Sequence, residues 1–367
     1  MIAFVIAFLL TLVGTPVVIQ FCLKNNLFDK PNKRSSHEKN VPRLGGTLFL
    51  PTAFIGVVVA MNMGESGYFF TPPDAVGGAL LTKSQFIVKT STLIIGFCAL
   101  LIYLVGIIDD LREIKAKQKF MVQAIVALAL PACNLYINNL YGLFGIYELS
   151  FWMAYPLTVF VILLVVNAIN LIDGIDGLAS GLSVVMLTLF AAEFHRLGAD
   201  TYALPAIAIA GSLCAFMLFN IFGSVERHTK IFMGDGGSLL LGFCLSYFLL
   251  KLGMDNRAIL PYDPNALFYG ITLLFLPTAD LARVALERLR QRQPIFQADK
   301  RHIHHRLMGA GLTMHQTLLV ILGLEVLFCI VNYFCINCLE MGATITLLLD
   351  ILIFAFFNLV LMRSQKA

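Results

Sequence analysis

Charge is what this sequence has least of. Of its 367 residues, 13% are Asp, Glu, Lys or Arg and 59% are hydrophobic, where a soluble domain carries about 25% charged residues. The mean hydropathy is +0.83. A chain so poor in charge cannot cover itself for water, which excludes a soluble globular domain and points to lipid as the solvent. The net charge of +4 is too small to attract a nucleic acid, and none is expected as a partner. A basic leader and a small-residue cleavage site are also missing. Met1 to Cys22 is apolar with no Lys or Arg, so it reads as a retained first span and not as a secretory signal. There is no inserted soluble domain and no tandem repeat. Most of the eight cysteines, Cys98, Cys214 and Cys244 among them, lie in apolar runs, where Cys packs as a small hydrophobe. Cys335 and Cys338 form a CxxC at the end of a span, but no second Cys or His pair faces the same side to complete a metal or redox site.

What is abundant is apolar sequence in lengths near 20 residues, enough to cross a bilayer as a helix. Eleven such runs lie near 1–22, 45–63, 91–108, 119–137, 154–172, 178–195, 203–222, 235–251, 266–286, 317–336 and 342–362. The expected fold is therefore an all-α polytopic integral membrane protein of about 11 transmembrane helices. Orientation follows from Lys and Arg, which concentrate in cytoplasmic loops. With the N-terminus outside, 21 of the 26 basic residues fall inside and five outside (Lys83, Lys89, Arg196, Lys251 and Arg257). The N-terminus is expected outside and the C-terminus in the cytoplasm.

The polar residues collect on that cytoplasmic face. Asp109 and Asp110 end the third run. Asn167, Asn170, Asp173 and Asp176 lie between the fifth and sixth. Asn220 ends the seventh, and Met233-Gly-Asp235-Gly-Gly-Ser238 opens the eighth. Arg301, His302, His304 and His305 sit in the longest inside loop.

Asp109 and Asp110 could merely stop a helix at the interface. The basic run after them (Arg112, Lys115, Lys117, Lys119) favours a metal-phosphate site. Spacings of three predict Asn167, Asn170, Asp173 and Asp176 near one helical face, with Gly174 and Gly177 allowing a tight turn. An interhelical hydrogen-bond seam is the plainer reading of that stripe. Asp235 could cap its own helix, at a terminus that also suits an anion. His302-x-His304-His305 could hold a transition metal, but the cations around it (Arg288, Arg290, Arg292, Lys300, Arg301, Arg306) suit phosphates better. A basic loop held against anionic lipid is the plainer reading there. Asp280 is expected to pair with Arg283. Glu325 and Asp350 are intramembrane acids for which helix–helix pairing is the simple expectation.

Hard oxygen ligands suit Mg²⁺, which takes one or two carboxylates plus water and phosphate oxygens. Cations suit a diphosphate, and headgroup depth suits a lipid phosphate. Together these describe phosphoryl transfer from a soluble diphosphate to a lipid acceptor.

Five ordered motifs make the likeness specific: Pro42-Arg-Leu-Gly-Gly46, Gly106-Ile-Ile-Asp-Asp110, Asn167-Ala-Ile-Asn-Leu-Ile-Asp-Gly-Ile-Asp-Gly-Leu178, Phe232-Met-Gly-Asp-Gly-Gly-Ser238 and His302-Ile-His-His305. On these, from about Phe28 to Arg306, the chain resembles the polyprenyl-phosphate N-acetylhexosamine-1-phosphate transferases. The resemblance implies one catalytic domain over 1–367, with its motifs within 28–306 and two C-terminal spans in 307–367. It implies a UDP-N-acetylhexosamine donor, undecaprenyl phosphate as acceptor, UMP as product, and a place in the bacterial inner membrane at the start of surface-glycan synthesis. It further implies Mg²⁺ as cofactor (Mn²⁺ as a substitute), with Asp235 as ligand and Asn170 beside the metal. Asp109 and Asp110 become the catalytic pair and Lys119 a diphosphate contact. Asp173, Asp176, Asn220, Arg301, His302, His304 and His305 fall on the nucleotide and sugar side. Relatives are often dimers, so a homodimer is among the expected arrangements.

The branch that makes peptidoglycan precursors resembles His-His-His-Phe-Glu at the last motif. This chain has His302-Ile-His-His-Arg306, which resembles the branch that uses UDP-N-acetylglucosamine or related simple amino sugars. Another UDP-amino sugar, or UDP-MurNAc-pentapeptide, would use the same chemistry. A phosphatidyl-type transferase fits less well, because Ser180 and Gly181 stand where that motif needs Ala and Arg. A transporter is the rival of a different class, with Glu325 and Asp350 on a proton path. Against it, the polar residues gather at one face instead of the midplane.

Overall fold

The computed structural model describes residues 1–29, 40–63, 90–294 and 301–364. Lys30, Lys33, Arg34, Lys39, Lys83, Lys89, Lys300 and Lys366, which enter the charge reading above, lie outside the described residues.

The chain is an all-α polytopic membrane protein. Its helices are α1 (Ile2–Lys24), α2 (Phe49–Met63), α3 (Thr90–Arg112), α4 (Ala116–Ala132), α5 (Phe151–Ile172), α6 (Leu178–Arg196) and α7 (Asp200–Phe222). They continue as α8 (Gly234–Gly253), α9 (Ala266–Leu273), α10 (Phe275–Arg290), α11 (Ile303–Gly309), α12 (Met314–Asn337) and α13 (Ala343–Ser364). A 3-10 turn over Gly45–Leu48 leads into α2. Two small ribbons complete the set: β1 (Phe28–Asp29) with β2 (Val41–Pro42), and β3 (Asn139–Leu143) with β4 (Ile146–Glu148). Among the described residues, nine helices are long and apolar enough to cross a membrane, or ten spans if α9 and α10 count as one bent pair.

Each of the eleven apolar runs meets a helix, and two need correction. The run at 119–137 is long enough for a full span, but α4 has 17 residues and stops at Ala132, just after Pro131. The chain then enters the β3–β4 hairpin, whose turn residues Phe144 and Gly145 both have positive φ. Phe-Gly lacks the Asn-Gly signature of such turns, which is why the hairpin was not legible. The run at 266–286 is bent by 64° between α9 and α10. Pro277 has no N–H to give the carbonyl of Leu273, and its ring crowds that same carbonyl, so a straight helix cannot pass.

α8 is the centre of the bundle. Of its most apolar stretch 83% is buried, against 22% for α3 and 28% for α13. It packs on α3, α5, α6 and α9. Gly242 lets α5 approach so closely that a Cβ there would lie 2.6 Å from the Val166 Cα. A hydroxyl cluster ties α1, α2 and α7: Thr11 Oγ1 lies 3.0 Å from Thr52 Oγ1 and 2.7 Å from Ser212 Oγ. Buried hydroxyls that satisfy one another hold membrane helices together without needing water.

Candidate active site

The buried start of α8 is where the polar motifs meet. Asp235, in its first turn, receives Lys119 Nζ on Oδ2 at 2.7 Å and Asn170 Nδ2 on Oδ1 at 2.6 Å. The same lysine reaches Asp109 Oδ2 at 2.8 Å. Asp109 Oδ1 accepts the Ile114 amide at 2.8 Å, and Asn170 also donates to Ser238 Oγ at 2.8 Å. Three helix ends and the first turn of α4 thus place two carboxylates, one ammonium and one amide in a single network. Such charge-assisted bonds are the short, strong ones.

Glycines make this approach possible. A Cβ at Gly106 on α3 would lie 2.5 Å from the Asp235 carbonyl oxygen. A Cβ at Gly46 would run into the backbone of Gly237. The Pro42-to-Gly46 motif is laced to the α8 approach by backbone bonds: Phe232 N to Pro42 O at 2.7 Å, Gly45 N to Phe232 O at 2.9 Å and Gly46 N to Met233 O at 2.8 Å. Gly234 turns at φ +75°, a region open to Gly at no steric cost. Asp110, at the end of α3, accepts the Asp235 amide at 2.8 Å and the Gly236 amide at 3.0 Å.

The stripe expected on one helical face is broken. α5 stops at Ile172, with Asp173 as its C-cap, and Gly177 turns at φ +78°. The four side chains therefore part company. Asn167 donates to Gln123 Oε1 at 2.9 Å on α4, away from Asp235. Only Asn170 reaches Asp235. Asp176 turns to Lys230, whose Nζ also meets the Asn220 carbonyl, each at 2.5 Å. Asn220 secures this corner by accepting the Gly177 amide at 2.7 Å and donating to the Ile231 carbonyl at 2.9 Å. Asp173 makes no hydrogen bond among the described residues. Burial, then the charges of Asp235 and Asp176, push its carboxyl up to about 7.

The histidine motif closes the other wall. Asp280 on α10, 1% exposed, receives Arg283 Nη2 at 2.7 Å, sits 2.8 Å from His302 Nδ1 and accepts the Ile303 amide. Arg283 also donates to the Arg301 carbonyl at 2.6 Å. His304 is 1% exposed and neither ring nitrogen has a hydrogen-bond partner among the described residues. Its ring lies where a Cβ on Gly174 would fall, between the rings of His302 and His305. Burial, then His305 and His302, hold its basicity down to about 3, so it is neutral near pH 7. Arg301 Nη2 donates to Gln293 Oε1 at 2.6 Å.

A groove of about 1140 Å³ runs beside this wall between α5, α10 and α13. Phe275, Leu286, Phe354 and Leu359 line it, with Arg283, Arg290, Arg301, His305 and Arg306 among its polar residues. Apolar walls carrying basic groups fit a lipid with an anionic head.

The structure brings Asp109, Lys119, Asn170 and Asp235 into one network, with Asp110 beneath it. Asp176 and Asn220 form a second corner, and His302, His304, His305 and Arg301 form a separate wall joined to it at Gly174. Two contributors escaped the sequence reading. Lys230 appears there only as a loop charge, and its place one residue from Ile231, at the approach to α8, is the signal that could have marked it. Asp280 was paired with Arg283, correctly, but its grip on His302 lies 22 residues away and leaves no local pattern.

Among the described residues, no three His, Cys, Asp or Glu side chains group as a ready metal cage. That set of scattered carboxylates with an amide fits Mg²⁺, whose remaining ligands are water and substrate phosphate, better than a metal held wholly by protein.

With this geometry in hand, the chain can be set beside known proteins. The model of glycosyl transferase family 4 matches residues 92–253, which hold the motifs of α3, α5 and α8. A probable undecaprenyl-phosphate N-acetylglucosaminyl 1-phosphate transferase of Bacillus subtilis is 34% identical over 331 residues, covering 90% of this chain and 83% of that protein. The undecaprenyl-phosphate alpha-N-acetylglucosaminyl 1-phosphate transferase of Yersinia pestis is 29% identical over 86% of this chain and 78% of its own. The Escherichia coli K12 protein of the same name is 26% identical, over 81% and 73%.

Proposed function

Because the chain belongs to the undecaprenyl-phosphate N-acetylglucosaminyl 1-phosphate transferases, we propose that it moves N-acetylglucosamine 1-phosphate from UDP-N-acetylglucosamine to undecaprenyl phosphate and releases UMP. Membership in this family also decides between the transferase and the transporter readings. The observation that carries the chemistry is Lys119 bridging Asp109 and Asp235 at 2.8 and 2.7 Å, with Asn170 on the other oxygen of Asp235.

In the reaction a phosphate oxygen of the lipid forms a bond to the sugar-bearing phosphorus of the donor. The bond from that phosphorus to the bridging oxygen breaks, and the electron pair leaves with UMP. Asp235, with Asn170 beside it, is the place for Mg²⁺, which when bound neutralises charge shared between the phosphates. Lys119 is already held by two carboxylates, so it meets a diphosphate without rearranging. Asp109 shares that lysine and orients the lipid phosphate. Asp176, Asn220 and Lys230 serve the nucleotide side. The histidine wall, with Arg301 at its end, serves the sugar diphosphate. The groove beside α10 takes the polyprenyl chain, its basic groups near the lipid phosphate.

The distribution of Lys and Arg supports an outside N-terminus, a cytoplasmic C-terminus and a site on the cytoplasmic face, where a soluble UDP-sugar is at hand. This fits a multi-pass protein of the bacterial inner membrane that starts a surface glycan.

The test is direct. Detergent-purified protein is given undecaprenyl phosphate, UDP-N-acetylglucosamine and Mg²⁺, and UMP is followed with Asp235→Ala as control. Turnover that disappears on chelation and in the variant supports the reading. UMP from another UDP-amino sugar alone corrects the donor. No UMP from any nucleotide sugar, in protein shown to be folded, overturns the assignment.

A further inference from the structure

Asp109 and Asp110 are neighbours in sequence and have unlike surroundings. Successive residues leave an α-helix about 100° apart, so at the end of α3 one carboxylate faces Lys119 and the other faces α8. Asp110 is 6% exposed. Its Oδ1 accepts the Asp235 amide at 2.8 Å and its Oδ2 accepts the Gly236 amide at 3.0 Å.

These are first-turn amides of α8, the groups a helix cannot satisfy by itself. The residue that should cap them is Met233, whose thioether is only a weak acceptor, and no side-chain cap bond forms there. The cap comes instead from another helix. Two glycines admit it: a Cβ at Gly106 would strike the Asp235 carbonyl, and a Cβ at Gly234 would lie 2.8 Å from the Asp110 Cγ. The positive end of the α8 dipole favours the carboxylate that sits there.

We propose that Asp110 is a positioning residue. It fixes the first turn of α8 so that the Asp235 carboxylate points at Lys119 and Asn170, and it exchanges no proton with substrate. Both of its oxygens are committed to main-chain amides of the residue that it places and of the next one. Asp109, whose Oδ2 shares Lys119 with Asp235, is the member of the pair that faces the reacting groups. The proposal rests on the reading of Asp235 as the metal-bearing residue.

The experiment compares Asp110→Asn, Asp110→Ala and Asp109→Asn in the full-length protein. It measures UMP release against pH, Mn²⁺ binding by electron paramagnetic resonance, and the thermal midpoint. Asn at 110 keeps one acceptor oxygen and loses the other. The expected result is turnover lower by roughly tenfold, the scale of one lost capping bond. The Mn²⁺ concentration for half-saturation should rise several-fold, and the pH–rate profile should keep its wild-type shape. Asp110→Ala should be worse in turnover and Mn²⁺ binding alike. A changed acid limb in Asp110→Asn with wild-type Mn²⁺ binding would show a proton-exchanging group and overturn the proposal. A lower thermal midpoint with turnover and Mn²⁺ binding unchanged per folded molecule would also overturn it, leaving a cap without a role at Asp235. If wild-type protein binds Mn²⁺ but releases no UMP, the functional reading fails while the Mn²⁺ comparison still tests Asp110.

Discussion

Two of the buried polar clusters in this bundle are built on opposite terms. At the start of α8, Asp109 and Asp235 share Lys119, Asn170 fills the other oxygen of Asp235, and Asp110 is filled by main-chain amides. Between α9, α12 and α13, Asn332 gives its amide to Asp350 at 2.7 Å and to Thr272 at 3.0 Å. There the second oxygen of Asp350, the Asn332 carbonyl oxygen and both oxygens of Glu325 have no hydrogen-bond partner among the described residues. The expected pairing of acids between the last two spans is thus half right, since Asp350 is tied to α12 through Asn332 while Glu325 is left alone. A carboxyl group without a donor in hydrocarbon is costly. The first cluster holds its charges by pairing them with one another across helix ends. The second is a local expense that the surrounding packing carries.

That contrast can be broken or sharpened by mutation. The largest effect belongs to Lys119→Met. It leaves Asp109 and Asp235 facing each other without their cation and should lower the UMP-release rate by about 10²–10³-fold, the usual cost of one preorganised charged group. Lys119→Arg should fall between, because a planar fork cannot occupy the same point as an ammonium. Next comes Gly106→Ala, whose methyl would sit 2.5 Å from the Asp235 carbonyl. Forcing α3 from α8 should cost about 1–3 kcal/mol in unfolding free energy. Gly96→Ala, on the same helix with nothing within 4 Å of the new methyl, should not destabilise.

A third test uses pH at His304 in the histidine wall, which shares the second cluster's lack of hydrogen-bond partners among the described residues. His304, like Glu325, is buried with unsatisfied polar atoms. Its folded basicity is held down to about 3, below the ordinary histidine value of about 6.5. Below that ordinary value the unfolded chain takes a proton that the folded one refuses. The stability contributed by neutral His304 is therefore whole above about pH 6.5 and is lost progressively as pH falls toward 3. The thermal midpoint should drop between pH 7.5 and pH 5, and by less in His304→Gln. The smallest effect is expected at Glu325→Leu. Removing two orphaned oxygens should leave UMP release unchanged and move unfolding free energy by no more than about 1 kcal/mol, in either direction. A loss of turnover there would mean that the second cluster is coupled to the first.

Much of this was legible in the sequence. Apolar length alone located the long helices, though not the short α11 or the break between α9 and α10, because a bilayer demands about 20 residues whatever their identity. That the acids at 109–110 and 235 stand at the ends of apolar runs was legible, and the structure brings them together. Which acid does what was not legible. Asp109 and Asp110 differ by one step of helix rotation, and only the position of α8 shows which one faces the lysine. The stripe from Asn167 to Asp176 misled for a similar reason. Spacing predicts a shared face only while the helix lasts, and α5 ends at Ile172. Lys230 and Asp280 are held by partners distant in sequence, on which local pattern is silent.

The break at Leu274 has a consequence for traffic. α10 leaves the line of α9 by 64°, and residues of α5, α10 and α13 wall the groove beside it. A substrate confined to the bilayer reaches such a groove by sliding sideways, in two dimensions, while a water-soluble one arrives at the ends of the helices from three. In the proposed transfer the two therefore need not queue at one doorway, and neither has to leave its own solvent before they react.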